Sequence, residues 1–180
     1  IIEIFTFCPG CGERLTGERS GRSMVCQACG FLYFFNTGSA VAVILGNAEG
    51  EWLFCRRGRD PAKGSLDLPG GFVEFHETAE EAAVRELREE LNLSIKAPVY
   101  LGSMPGSYDY RGCRYDILNL IFQAHVDDFS PLRAHSDVTG WVFIHPRKVD
   151  LTEIGLESIQ RIVIQYQDIW INNRFKGGGI

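Results

Sequence analysis

The feature that most constrains this chain is an acidic run over residues 70–93, GGFVEFHETAEEAAVRELREELNL, with seven glutamates and only two arginines. The run predicts a helix from Glu77 to Leu91, in which Thr78 is the N-cap and Glu81 completes a capping box. At about 100° per residue, the helix has an apolar side and a nearly opposite acidic side. The apolar side holds Val84, Leu87 and Leu91, and the acidic side holds Glu86, Glu89 and Glu90.

The three carboxylates of the acidic side are surface neighbours on a helix, so they repel one another. A solvated helix face is the ordinary explanation, although such a face more naturally alternates the signs of its charges. The sequence LPGG just before the helix predicts a tight turn that brings backbone carbonyls near the same point. Carboxylates, a carbonyl and water suit a hard divalent cation, so we expect Mg²⁺ or Mn²⁺ here.

The same stretch resembles the signature of the Nudix hydrolase family, GX5EX7REUXEEXGU, in which U is aliphatic. Gly71 opens the match, Glu77 follows after five residues, and Leu93 closes it. Eight of the nine constrained positions agree over 23 residues, and the exception is Asn92 in place of the last glycine. Asparagine tolerates the left-handed backbone conformation, so we expect the helix C-cap to persist there.

The resemblance implies the Nudix fold, a mixed β-sheet packed between helices, over about residues 38–175. It also implies an enzyme that hydrolyses a nucleoside diphosphate linked to another group, which is a phosphorus-containing acid anhydride. Within the site, it implies an orienting ion pair between Arg85 and Glu77. The divalent-metal ligands, and with them the catalytic carboxylates, would be Glu86, Glu89 and Glu90, together with a carbonyl of Gly70 or Gly71.

The sequence does not identify which carboxylate acts as the general base. A bound divalent ion neutralises phosphate charge and lowers the pKa of water, and a carboxylate then takes the proton. Two residues of the signature are candidates, and an acidic residue in a later loop is the alternative. These candidates are Glu86, Glu89, Asp127, Asp128 and Asp137.

Two CxxC pairs, CPGC and CQAC, lie ahead of this region and are separated by fourteen residues. Four thiolates suit tetrahedral Zn²⁺, and this spacing favours a metal site over a disulfide framework. We therefore expect a structural zinc ribbon over residues 1–37 and a Nudix domain over residues 38–180, with a direct substrate role for the ribbon less favoured. The zinc ligands would be Cys8, Cys11, Cys26 and Cys29.

Apolar runs elsewhere predict strands at SAVAVILG, EWLFCRR, IKAPVYLGSM, RYDILNLIFQAHV and TGWVFIH, with a hairpin turn at NAEG between the first two. A second helix is predicted from Glu153 to about Ile171. Strands on both sides of a helix indicate an α+β domain. The aromatic run FLYFF, residues 31–35, is expected to pack between ribbon and domain, with nucleic-acid stacking as the alternative.

Two groups of residues are candidates for substrate binding. Arg56 and Arg57 end a predicted strand, and they either contact phosphate or lie in solvent. Tyr108, Tyr110 and Arg111 either stack on a base and hold phosphate, or form an ordinary hairpin tip.

A zinc ribbon joined to a Nudix domain resembles the NADH pyrophosphatase branch, and ADP-ribose pyrophosphatases are a related branch. The SQPWPFPxS-type motif of the former is absent from LGSMPGSYDYRGCRYDILNLIF, which argues against strict NADH specificity. ADP-ribose, another ADP-linked compound or NADH-like dinucleotide, a nucleotide sugar and a nucleoside triphosphate stay open. Two other functions are alternatives. One is a nucleotide-sensing regulator without catalysis, and the other is an RNA-end or cap hydrolase that uses the ribbon to hold RNA.

The partners expected from composition are few. A net charge of −5 argues against broad nucleic-acid binding, and the longest apolar runs are too short to span a bilayer. No signal peptide is visible, and the CxxC pairs favour a reducing compartment, so we expect a cytoplasmic protein. A small nucleotide is the expected partner, nucleic acid is not, and a homodimer stays open.

Overall fold

The computed structural model describes residues 5–16, 22–126 and 128–168. None of the helices in these ranges is long and apolar enough to cross a membrane. A 3₁₀ turn over Leu151–Glu153 precedes the last helix. In chain order, the strands and helices are β1 (Ser23–Val25), β2 (Leu32–Phe34), β3 (Gly38–Leu45), β4 (Trp52–Arg57), β5 (Leu66–Asp67), α1 (Ala79–Leu91), β6 (Val99–Tyr110), β7 (Cys113–Ala124), β8 (Val138–Ile144) and α2 (Glu157–Tyr166).

The strands form one two-stranded ribbon and two three-stranded sheets. In the ribbon, β1 is antiparallel to β2. In the sheet ordered β3-β7-β6, β3 is parallel to β7 and β6 is antiparallel to β7. In the sheet ordered β5-β4-β8, all pairing is antiparallel. The first of the larger sheets is therefore mixed.

The two larger sheets form a layer with a helix on each face. Val41 and Val43 of β3 pack in the core cluster that contains Leu87 of α1. The alternate residues Ala42 and Ile44 pack in the cluster that contains α2. Because successive side chains of a strand point to opposite faces, this alternation places β3 between the two helices. The α+β prediction, with a β-layer between helices, is confirmed, and the layer is divided into two sheets.

Helix α1 begins and ends with the predicted caps. The Thr78 hydroxyl accepts a hydrogen bond from Glu81 N at 3.2 Å, and the Glu81 carboxylate accepts one from Thr78 N at 2.7 Å. Asn92 is left-handed, with φ 55°, and its N–H donates to carbonyls of the last turn. The helix starts at Ala79, two residues after the predicted start at Glu77, because the N-cap itself is not helical.

Three predicted elements differ in extent from the structure. The turn at residues 47–50 is present, but β3 and β4 pair only at the bridge between Gly46 and Trp52 and then enter different sheets. Strand β6 continues to Tyr110, well past its predicted end. Helix α2 covers Glu157–Tyr166, and the predicted continuation over residues 169–171 lies outside the described residues.

The predicted packing of the aromatic run between ribbon and domain is wrong for Leu32, Tyr33 and Phe34, which are exposed. Rings of this run instead pack within the ribbon. Phe5 lies 5.9 Å from Tyr33 and 5.5 Å from Phe35, measured between ring centroids. The boundary predicted at residue 37 stays a prediction.

Leu87→Ala tests the packing of α1 on the sheet layer. Leu87 is fully buried, so the substitution is expected to lower the free energy of unfolding by about 2–5 kcal/mol in a urea titration. The control is Ile164→Ala on α2, where the side chain is 52% exposed, and its effect should stay within about 0.5 kcal/mol. Equal effects of the two substitutions would contradict this packing.

Candidate active site

The acidic side of α1 meets the loop that precedes the helix. Glu90 is only 8% exposed, and its Oε2 accepts a hydrogen bond from Gly70 N at 3.0 Å. Glu86 is also largely buried, whereas the Glu89 side chain is 55% exposed. The three predicted carboxylates therefore lie on one helix face, but they differ in environment.

Gly70 and Gly71 allow the loop to approach both β3 and the glutamates. Val41 N donates to Gly71 O at 2.8 Å, and Val43 N donates to Pro69 O at 2.9 Å, so the loop pairs along β3. Gly70 has φ +145°, and a Cβ there would overlap the Val41 carbonyl. A Cβ on Gly71 would overlap the Glu86 carboxylate. The Gly71 carbonyl is used inside the sheet, which leaves the Gly70 carbonyl as the better candidate ligand.

Arg85 joins the helix to this loop. Its guanidinium donates to both carboxylate oxygens of Glu77, at 3.1 and 2.6 Å, and to Phe72 O at 2.9 Å. The same guanidinium donates to Glu86 at 2.9 Å and to Glu89 at 3.2 Å. The predicted ion pair between Arg85 and Glu77 is present, and hydrogen bonding to Arg85 lowers the pKa of Glu77.

Burial raises the pKa of Glu90 to about 8, and the nearby charges of Glu86, Asp67 and Asp137 act in the same direction. Burial likewise raises the pKa of Glu86, although Arg85 opposes the shift. Both carboxylates thus lack sufficient positive charge around them. A divalent cation would supply that charge, and an oxygen donor set fits Mg²⁺ or Mn²⁺.

The glutamates do not form a closed ligand cluster. Within the described ranges, the four cysteines are the one group of three or more His, Cys, Asp or Glu side chains whose ligand atoms all lie within 4.8 Å of one another. Glu89 in particular is exposed and bonded to Arg85.

A cavity of about 360 Å³ opens beside this face, between the two larger sheets. That volume is in the range of small-molecule sites. Seven of the predicted site residues line it, namely Gly70, Gly71, Glu90, Arg57, Tyr108, Tyr110 and Asp137.

Two predicted substrate-binding residues do not line this cavity. Arg56 pairs with Glu153 at 3.2 Å and donates to Gly64 O at 3.1 Å. Arg111 lies in the β6–β7 turn, with its guanidinium carbon 5.2 Å from the centroid of the Tyr110 ring. Tyr108 stacks on Tyr115 across the same hairpin, with the ring centroids 5.4 Å apart.

The acidic residues of the later loop that are candidates for the general base differ in their position relative to the cavity. Asp137 lines the cavity and pairs with Arg59 at 2.6 Å. Asp128 is exposed and accepts a hydrogen bond from Ser130 N at 2.8 Å, and it does not line the cavity. Asp127 lies outside the described residues.

Sequence reasoning missed two buried polar residues of the cavity. Asp67 is 9% exposed and pairs with Arg57, and Asn119 is 4% exposed and donates to Met104 O at 3.2 Å. A signal for Asp67 was available, because a carboxylate between two leucines in a short apolar strand needs a partner. Asn119 gave no comparable signal within its predicted strand.

The four cysteines converge at the other end of the chain. Cys8 Sγ lies 3.7 Å from Cys29 Sγ, and Cys11 Sγ lies 3.7 Å from Cys26 Sγ. With Zn–S bonds of about 2.3 Å, the edge of a tetrahedron of sulfurs is about 3.8 Å. The Gly10 amide also donates to Cys8 Sγ at 3.3 Å. This donor set fits zinc.

The NUDIX domain family model matches residues 36–166 of the chain. The match contains α1, the loop before it and the whole sheet layer.

Two curated relatives are both named NAD-capped RNA hydrolase NudC. The one from Stutzerimonas stutzeri (strain A1501) is 31% identical over 97 residues, which are 54% of this chain and 34% of that protein. The one from Pseudomonas fluorescens (strain Pf0-1) is 27% identical over 150 residues, covering 76% of this chain and 54% of that protein. The chain thus spans between a third and about half the length of these relatives.

The crystal structure of a NUDIX hydrolase from Nitrosomonas europaea is similar in fold. The match covers 96% of this chain and 93% of that one, with a TM-score of 0.69 and 22% sequence identity. This likeness supports the fold alone.

Gly70→Ala tests the close approach of the loop to β3. The added methyl meets the Val41 carbonyl in a left-handed backbone, so the free energy of unfolding should fall by about 1–3 kcal/mol. Gly140→Ala is the matched control, because a Cβ there meets nothing within 4 Å, and its effect should stay within about 0.5 kcal/mol. Urea denaturation measures both, and a neutral Gly70→Ala would show that the loop is not held as described.

Metal analysis tests the cysteine cluster. We expect about one zinc ion per chain by plasma mass spectrometry, and its loss in the double variant Cys8→Ser, Cys26→Ser. Cys113→Ser serves as control, since Cys113 lies on β7 outside the cluster. A folded ribbon that contains no zinc would contradict the assignment.

Proposed function

Because the chain belongs to the NUDIX domain family, we propose that it is a pyrophosphohydrolase that cleaves a nucleoside diphosphate linked to another group, with Mg²⁺ or Mn²⁺. The observation that carries the proposal is the meeting of two carboxylates, the buried Glu90 and the largely buried Glu86, with the Gly70–Gly71 loop. This meeting point lies at a cavity of about 360 Å³ that also contains Arg57.

The divalent ion would be held by Glu86, Glu89 and Glu90 and by the carbonyl of Gly70. When bound, such an ion neutralises charge on the diphosphate and lowers the pKa of a bound water. The raised pKa values of Glu86 and Glu90 fall again when positive charge arrives beside them, so both carboxylates then stay ionised. Arg85 keeps Glu86 in place, and Glu77 in turn orients Arg85.

The chemical step is a substitution at phosphorus. The oxygen of water forms a bond to one phosphorus, the bond from that phosphorus to the bridging oxygen breaks, and the other phosphate leaves with the bridging oxygen. A carboxylate accepts the proton of the attacking water. Asp137 is the later-loop candidate that lines the cavity, and Glu86 and Glu89 are the candidates on α1.

The residues that line the cavity support a nucleotide with a second moiety as the substrate. Tyr108 and Tyr110 supply aromatic surface for a base, and Arg57 supplies a cation for phosphate. Arg111 lies outside the lining, and we place it at the rim through its contact with Tyr110. ADP-ribose, an NADH-like dinucleotide and a nucleotide sugar each combine these groups.

NAD-capped RNA is a second candidate substrate, because two curated relatives are named for that activity. Its 5′ end contains a dinucleotide diphosphate, so the same chemistry applies. The expectation that nucleic acid is not a partner is therefore not supported. A direct comparison of NADH with NAD-capped RNA decides between the two, since the RNA body adds contacts only if the protein has a surface for it.

A substrate panel with Mg²⁺ tests the function. The panel contains ADP-ribose, NADH, a nucleotide sugar and NAD-capped RNA, and cleavage of each is measured by the nucleoside monophosphate that it releases. We expect at least one of them to be cleaved. Glu90→Gln should lower kcat on the best substrate by at least about 100-fold, because it removes a metal-site charge.

The matched control is Glu80→Gln on the exposed part of the same helix, where activity should be unchanged. If wild-type protein releases no nucleotide from any member of the panel, the pyrophosphohydrolase proposal fails. If Glu80→Gln and Glu90→Gln behave alike, the site is elsewhere.

A further inference from the structure

Acidic side chains outnumber cationic ones in the lining of the cavity, which disfavours the binding of an anionic ligand. Of the described residues in its lining, two are cationic and four are acidic. A diphosphate needs fixed positive charge in addition to any metal ion. The cations are Arg57 and Arg59, and the acids are Asp60, Asp67, Glu90 and Asp137.

The two arginines differ in how they are held. The Arg59 side chain is 70% exposed and pairs with Asp137 on the surface. The Arg57 side chain is 23% exposed, and its Nε donates to Pro61 O at 2.7 Å. Its backbone is also fixed, because Arg57 N donates to Ser65 O at 3.0 Å. Arg57 is therefore the cation that the fold has already positioned.

Asp67 fixes the guanidinium from the other side. Its Oδ2 pairs with Arg57 Nη1, and its Oδ1 accepts a hydrogen bond from Leu68 N at 2.8 Å. With both oxygens engaged and the side chain only 12% exposed, the carboxylate has little freedom to turn. Arg57 Nη2 has no hydrogen-bond partner among the described residues, so one edge of the guanidinium is open, and Arg57 lines the cavity.

We propose that Asp67 is a positioning residue, which holds Arg57 so that the open edge of its guanidinium meets a phosphate oxygen of the substrate. This inference rests on the proposed function, because it assumes a diphosphate in the cavity. The geometry favours it because a pre-oriented fork loses less conformational freedom when it binds phosphate than a free arginine does.

A purely structural role for the pair predicts something different. Asp67 lies on β5 opposite Cys55 of β4, so the ion pair also links two strands. If that were its whole purpose, loss of Asp67 would lower stability and leave substrate affinity unchanged. A readout that separates binding from catalysis and from stability therefore decides the question.

The experiment compares Asp67→Asn, Arg57→Lys and the double variant with wild type, using ADP-ribose and Mg²⁺. Asp67→Asn and Arg57→Lys should each raise KM by about 10-fold, the range of a charge-assisted hydrogen bond, with kcat changed by less than about threefold. The double variant should add little to either, because both changes disturb the same contact. Asp168→Asn is the control, since it removes the exposed pair with Arg147 and should leave KM unchanged.

Calorimetric binding of ADP to the same proteins keeps this inference separate from the proposed function. If the wild-type protein hydrolyses none of the substrates but Asp67→Asn binds ADP more weakly than wild type, the proposed function is wrong and the positioning role is supported. An unchanged KM and ADP affinity, with a lower unfolding midpoint, would make the pair structural and overturn the inference. If wild-type protein neither binds ADP nor cleaves ADP-ribose, both proposals are wrong. If Asp67→Asn does not fold, the KM and ADP affinity of Arg57→Lys test the role of the pair instead.

Discussion

The guanidinium of Arg85 is the interaction on which the candidate site depends. It contacts three glutamates and the Phe72 carbonyl. Without it, a helix face of neighbouring carboxylates would be destabilised by its own charge. With it, Glu86 is held toward the loop while Glu77 anchors the guanidinium from outside the helix. One cation thus joins α1 to the segment that precedes it, and it leaves the acidic face with charge still unbalanced.

Two glycines allow the preceding loop to approach the acidic face of α1. Gly70 and Gly71 have no side chain at the two points where the loop approaches the Val41 carbonyl and the Glu86 carboxylate. The loop therefore lies along β3 and donates a backbone N–H to Glu90 at the same time. Burial then raises the pKa of Glu90, and a positive charge placed beside this carboxylate would lower that pKa again.

The cavity is also lined by a second arrangement of charge. Arg57 and Asp67 form a partly buried pair between β4 and β5, and ion pairs removed from solvent often add no stability over apolar residues of similar size. A pair that is retained inside a cavity invites a functional explanation. The lining contains both Glu90, a candidate metal ligand, and the Arg57 guanidinium, a candidate phosphate contact.

The sequence by itself determined the features that depend on short spacings. These include α1 with its caps and the separation of its apolar side from its acidic side, because residues three or four apart on a helix are neighbours whatever surrounds them. They also include the two cysteine pairs, whose CxxC spacing is typical of a metal site. It also indicated the family. Tertiary structure alone decided that Arg57 lines the cavity and Arg56 does not, that Asp137 rather than Asp128 reaches it, and that Asp67 supports Arg57. Adjacent strand residues face opposite ways, and the ladder shifts register between Arg56 and Arg57. Which face becomes the cavity is therefore settled only when the two sheets pack together.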